Sequence, residues 1–234
     1  LIGGTLRVDV LSEGVHSGDA SGVVPSSFRI LRQLLARLEN IDTGEIIVPE
    51  LKTEIPKDRV AQAKVAAQAL GDAVYTKFPF VDGMKPANTD LAQLVLNRTW
   101  RPALSVTGFE GAPAPANAGN VLRPFSTAKI SMRLPPTVDA HKAADHLQGI
   151  LLRDPPYGAK VSFQYEEPGT GWNAPTTAPW LETALETASE AAFGQPMAMM
   201  GEGGTIPFMG MLGEKFPKAQ FVVTGVLGPN SNAH

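Results

Sequence analysis

The chain has 234 residues, of which 43% are hydrophobic and 18% charged, and a formal net charge of −3. That length allows one large or two small domains, and the charge balance argues against a nucleic-acid or anionic-membrane partner. Zero cysteines exclude a disulfide framework and any thiolate metal site. This is compatible with a cytoplasmic location, and no apolar run approaches the ~20 residues that span a membrane.

From Thr5 to Leu11 the chain alternates, with Leu6, Val8 and Val10 on one face and Arg7, Asp9 and Leu11 on the other. That is a half-buried strand. A Gly/Ser loop at 14–18 follows. Pro25-Ser26-Ser27 then starts a helix with Phe28, Leu31, Leu34, Leu35 and Leu38 on one stripe. Residues 40–100 are less regular. Val60 to Leu70 is Ala-rich and reads as helix, and Asn88 or Thr89 caps a helix carrying Leu91, Leu94 and Val95 that ends before Pro102.

Leu104 to Val106 reads as a second strand, and Phe109 to Asn120 as a loop without periodicity. A third strand, Ser126 to Leu134, points Ala128, Ile130, Met132 and Leu134 one way and stops at Pro135-Pro136. A helix from about Asp139 to Leu152 turns Ala143, Leu147, Ile150 and Leu151 inward, and a fourth strand carries Val161, Phe163 and Tyr165 on one face. The order β-α-(insert)-β-β-α-β predicts a split βαβ, ferredoxin-like α+β domain. Its antiparallel sheet is four-stranded, with two helices on one face.

Gly169-Thr170-Gly171 marks a boundary, giving a first domain over 1–168, with an insertion at about 40–100, and a second block over 169–234. In the second block Pro179 opens a helix with Leu181, Ala184, Leu185, Ala188, Ala191 and Ala192 inward, closed by Gly194. A glycine turn at Gly201 to Thr205 leads into a short apolar helix, Ile206 to Leu212, and Ala219 to Thr224 reads as a strand. This β/α block has too few strands for a sheet of its own. It is expected to complete one whose other strands lie outside the chain, which is itself expected to be a piece of a longer protein.

Four places carry potential chemistry: His16, Arg133, the Glu202–Thr205 turn and His234. Each has an ordinary reading as an exposed loop histidine, a solvated charge, a simple turn and a tail end. The turn lacks the G-x-G-x-x-G pattern and the Walker lysine, which excludes nucleotide binding there. His141 and His146 are five apart, do not share a helix face and read as solvated. Imidazole is the commonest protein metal ligand, and a loop leaving a strand is where sites tend to sit.

Taken in order, these stretches resemble the carnosinase-like di-zinc metallopeptidases, a family with dipeptidase, aminoacylase and succinyl-diaminopimelate desuccinylase members. Val15-His16-Ser17-Gly18 with Ser21-Gly22 is similar to the family's lid histidine loop. Further matches are Trp100-Arg101-Pro102-Ala103-Leu104-Ser105-Val106 with Gly108-Phe109-Glu110-Gly111, and Lys129-Ile130-Ser131-Met132-Arg133-Leu134 with Pro135-Pro136. Gly201-Glu202-Gly203-Gly204-Thr205-Ile206-Pro207 and Ser231-Asn232-Ala233-His234 complete the set, and residues 40–100 match the lid insertion of the carnosinase branch in length and character.

The resemblance implies a dimer-forming lid followed by the C-terminal part of a catalytic domain. It implies that His234 is a Zn²⁺ ligand of a two-metal site, with Mn²⁺ or Co²⁺ as alternatives. It implies that His16 reaches into the partner subunit's site to stabilise an oxyanion. Arg133, Glu202, Gly204 and Thr205 would receive the substrate's carboxylate, and Asn120 would contact substrate across a homodimer. The substrate would be a dipeptide or N-acyl amino acid. One departure is visible: where the family has a substrate-facing histidine near Trp172-Asn173, this chain has Ala174-Pro175. The family's remaining metal ligands and general base lie upstream of its lid, so the chain alone is expected to be inactive in hydrolysis. The alternative expectation is a non-catalytic dimerisation or interaction module.

Overall fold

The computed structural model describes residues 1–203 and 207–225. In chain order the elements are β1 (Ile2–Asp9), β2 (Val15–His16), α1 (Ser17–Ala20), α2 (Ser27–Leu35), α3 (Lys57–Leu70), α4 (Ala73–Thr76), α5 (Leu91–Thr99), β3 (Ala103–Glu110), β4 (Val121–Leu122), β5 (Phe125–Arg133), α6 (Ala140–Leu152), β6 (Lys160–Tyr165), α7 (Pro179–Phe193) and α8 (Pro207–Lys215). They fall into two compact units. One holds Leu1–Trp172 and the stretch from Ala198; the other holds Asn173–Met197 and the stretch from Phe208.

In the first unit four strands form one sheet in the order β3-β5-β1-β6, every neighbouring pair antiparallel. This is the topology the alternation and helix stripes predict. Ile2, Leu6 and Val8 of β1 and Ala128, Ile130 and Met132 of β5 are buried on one face. They form a single core with Ile30, Leu31 and Leu34 of α2 and Ala143, Ala144, Leu147 and Leu151 of α6. Both helices therefore cover the same face. Each such Leu or Ile side chain contributes about 1.5–3 kcal/mol on burial. Asp139 caps α6 by accepting from the His141 and Lys142 backbone N–H groups at 3.0 and 3.1 Å.

The strand begins three residues earlier than the alternation suggests, since Ile2, Gly3 and Gly4 are paired with β5 as well. Gly4 lies opposite Tyr165, and a Cβ on it would stand 2.5 Å from the Phe163 ring. The glycine is there to let a buried aromatic lie over the strand. The expected stripe of α2 also needs correction: Phe28 is half-exposed and meets Phe109 edge-on at 5.5 Å, while Ile30 takes the inward place. Asp90, not Asn88 or Thr89, caps α5, its carboxylate accepting from the Ala92 and Gln93 N–H groups. β3 runs on to Glu110 through an irregularity at Val106/Gly108.

The insertion forms its own small core, in which Ala63 and Ala67 of α3 pack with Val95, Leu96 and Trp100. The alanines of α3 allow that close packing. In the second unit α7 opens at Pro179 and ends at Gly194, whose φ of 64° closes the helix. The stripe expected to face inward on α7 is not buried: no residue of that helix is. Residues 219–225 belong to no strand, against expectation. A strand needs a ladder partner, and this unit supplies none among its described residues. No described helix is long and apolar enough to cross a membrane.

Candidate functional site

The residues singled out by the sequence fall into two groups. The first is built on a two-stranded ribbon, in which β2 pairs with β4 so that His16 lies opposite Val121. Beside it, Ser17 donates its N–H to the carbonyl of Asn120 at 2.9 Å. His16 and Asn120 are thus brought side by side, both exposed.

His16 caps α1, its Nδ1 accepting the Gly18 N–H at 3.1 Å. An accepting Nδ1 carries no proton, so the neutral ring carries it on Nε2 and presents an N–H donor outward. Glycine at position 18 suits this ring position, since a Cβ there would lie 2.8 Å from the imidazole Cε1 and turn the exposed ring aside. The order His-Ser-Gly is the local cause of the ring's orientation.

The second group gathers on the stretch 199–203. Arg133 ends β5, exposed, and its Nη1 donates to the Gly203 carbonyl at 3.3 Å. Glu202 pairs with Arg98 of α5, Nη2 to Oε1 at 3.3 Å. With Glu202 63% exposed such a pair is worth only ~0–1 kcal/mol, so its consequence is geometric rather than stabilising. Arg98 is the residue sequence reasoning missed. It stands in the insertion, 104 residues from its partner, and its only local signal is a cation in the last turn of a helix.

The ribbon joins the sheet at the Phe125 end of β5, where Val10 and Leu11 donate to the Pro124 carbonyl. Arg133 is at the other end of that nine-residue strand, roughly 26 Å away at ~3.3 Å per residue. His16 and Asn120 are therefore not gathered with Arg133 and Glu202.

Gly204, Thr205 and His234 lie outside the described residues. Among the described residues no group of three or more His, Cys, Asp or Glu is placed to hold a metal ion. The one metal ligand that the resemblance implies for this chain, His234, is not among them. His141 and His146 are solvent-facing, as expected, with His146 Nε2 3.2 Å from Glu50.

The sequence profile of the peptidase dimerisation domain matches residues 1–158. A curated relative, the cysteinylglycine-S-conjugate dipeptidase of Corynebacterium striatum, is 25% identical over 234 residues, 97% of this chain and 48% of that protein. The chain spans about half the length of the curated relative it matches.

Among solved structures, the di-peptidase Dug1p of Saccharomyces cerevisiae aligns with a TM-score of 0.66 and 21% identity, covering 92% of this chain and 45% of that one. Human carnosine dipeptidase 1 aligns at 0.65 and 20%, covering 91% and 45%. An M20 family metallo-carboxypeptidase, Sso-CP2 of Sulfolobus solfataricus, aligns at 0.64 and 18%, covering 92% and 55%. At these identities the structural likeness is one of fold.

Proposed function

The chain belongs to the peptidase dimerisation domain family, and from that premise we propose that it is the dimer-forming lid, with a C-terminal segment of the catalytic domain, of a metal-dependent dipeptidase. The observation that carries this reading is the separation of the two residue groups along β5. One active site that uses both His16 and Arg133 would draw them from two subunits, which would give a dimerisation domain a catalytic purpose.

In this reading Arg133 receives the carboxylate end of a dipeptide, together with Gly204 and Thr205, and Glu202 contributes to the same turn through its pairing with Arg98 rather than as a carboxylate receptor. A guanidinium suits a carboxylate because its fork binds bidentately. Among the described residues Gly203 takes one of its five N–H donors, which leaves donors for substrate. His16 of the partner subunit offers its Nε2–H to the oxyanion of the tetrahedral intermediate. A donor aimed at developing charge is worth about a hundredfold or more in rate. Asn120, beside it, contacts substrate across the same interface.

His234 is the chain's contribution to the metal site, with zinc, manganese or cobalt as the ion. The described residues hold no group of three or more candidate ligands, so the metal's own chemistry is left to the whole protein.

The surface for the partner is the free edge of the sheet. β3 is an outer strand, and Val106 and Phe109 on it, with Phe28 beside Phe109, are about half-exposed. Antiparallel pairing of two copies through this edge gives an isologous two-fold homodimer and covers the apolar patch.

The test is hydrolysis by the full-length protein. It is expected to cleave dipeptides with a free carboxylate, to lose activity on chelation and to regain it with Zn²⁺, Co²⁺ or Mn²⁺. Full activity in excess chelator, or none with metal restored, overturns the reading and leaves a dimerisation module without catalysis.

A further inference from the structure

The stretch 199–203 is held from two sides. From the sheet, Arg133 donates to the Gly203 carbonyl at 3.3 Å. From the insertion, Arg98 Nη2 donates to Glu202 Oε1 and approaches the Met200 sulfur, both at 3.3 Å, and Gln62 of α3 reaches the Met199 sulfur at 3.8 Å. The contact is close enough to exclude side chains. A Cβ on Gly203 would lie 2.6 Å from the Arg98 carbonyl oxygen, and one on Gly201 would lie 3.3 Å from Thr99. Gly203, where a Cβ would meet backbone, therefore serves the docking of this stretch onto the end of α5.

That end of α5 is itself anchored. Val95, Leu96 and Trp100 are buried, and Arg101 is tied back to Asn97 and Gln93 at 2.6 and 2.7 Å. Arg98 Nε is buried and has no hydrogen-bond partner among the described residues, so the guanidinium is committed to this position through its outer nitrogen.

We infer that Arg98 is a positioning residue of the carboxylate-receiving site: it holds Glu202 and the 199–203 stretch on the insertion, and so keeps the Arg133 guanidinium open for substrate. Glu202 directly precedes Gly203, the residue Arg133 already touches. Without Arg98 its carboxylate is the nearest anion of the turn to Arg133, and it competes with the substrate's carboxylate for the same fork. The insertion thereby acquires a role in selecting substrates that end in a free carboxylate. This rests on the reading of Arg133 given above.

The experiment compares, in the full-length protein with metal, a dipeptide and its C-terminal amide as substrates. Arg98→Ala is expected to raise KM for the dipeptide about tenfold with kcat within about threefold, and to leave KM for the amide unchanged. Arg98→Lys, which keeps the charge and loses the fork, is expected to recover part of the difference. Backbone hydrogen exchange over 199–203 is expected to speed up in Arg98→Ala and less so in Arg98→Lys.

Equal KM changes for acid and amide, or none, overturn the positioning role, as does unchanged exchange over 199–203. If Arg98→Ala does not fold, Arg98→Lys and Arg98→Gln carry the same comparison. A wild-type protein that hydrolyses no dipeptide with metal present fails at the earlier step: it overturns the dipeptidase reading and this inference with it, whatever the exchange shows.

Discussion

Ser17 donates its backbone N–H to the carbonyl of Asn120 at 2.9 Å, fixing the histidine loop to the ribbon at the opposite end of β5 from Arg133. If the histidine of one subunit serves the arginine of the other, two impaired variants rescue one another, measured at substrate well below the raised KM. His16→Ala is expected to lower kcat about a hundredfold with little change in KM, and Arg133→Ala to raise KM. Mixing the two and allowing subunits to exchange gives heterodimers with one intact site, so about a quarter of wild-type activity is expected at equal mixing. No recovery after verified exchange would mean that both residues act within one subunit, or not at all.

The outer edge of β3 predicts what holds the dimer. Phe109 meets Phe28 edge-on at 5.5 Å, and both rings are half-exposed, so a charge here is cheap in a monomer and costly in a buried interface. Phe109→Glu is expected to shift the full-length protein from dimer to monomer in light scattering. It should lower activity with the dimer fraction while leaving the helical circular dichroism of the unit intact. A dimer that persists at the same concentration places the interface elsewhere.

The sheet was legible because its strands alternate. Leu6 and Val8, and Ala128, Ile130 and Met132, point where period two says they point, since one face is covered and the other is not. Phe28 was misplaced because helical spacing reports a stripe, not which edge of it meets the core. The insertion was hard to read because Ala63 and Ala67 bury little area each, so the amphipathic contrast of α3 is weak.

Residues 219–225 carry a strand's composition, and the exposed stripe of α7 a buried helix's. Among the described residues of their unit nothing pairs with the first or buries the second, so composition alone could not place either. His16 and Arg133 were visible as motifs; that they stand apart was not, because distance along a sheet depends on register. Arg98 had no motif at all, its contact with Glu202 being purely tertiary.

Asp139 ties the stability of the first unit to pH. The backbone N–H of Lys142, and then that of His141, hold its carboxyl below the usual range. A carboxyl depressed in the folded state contributes stability that is present above its unfolded value, about 3.9, and is lost as pH falls through the lower folded value. Wild-type stability in urea is therefore expected to decline as pH drops below about 4. Asp139→Asn keeps the cap geometry without the charge, and its decline over that range should be shallower. Parallel curves for the two proteins would show that the cap does not contribute to the acid response.

Gly4 tests whether close approach, rather than flexibility, explains a glycine inside a strand. Its φ is not in the left-handed region, so alanine faces no backbone penalty and, by reducing the freedom of the unfolded chain, stabilises by about 0.5–1 kcal/mol. Against that, the new methyl would lie 2.5 Å from the Phe163 ring and 3.1 Å from the Gln164 carbonyl oxygen, and Phe163 is only 3% exposed. A buried ring under α6 cannot swing aside, so the cost is that of overpacking, about 1–3 kcal/mol.

The second effect is larger, and Gly4→Ala is expected to lower the denaturation midpoint. Phe163→Leu alone is also expected to destabilise, through the space it leaves. The double variant should be more stable than the sum of the two losses predicts, because the smaller side chain makes room for the methyl. Simple additivity would show that the ring and the glycine are not in conflict.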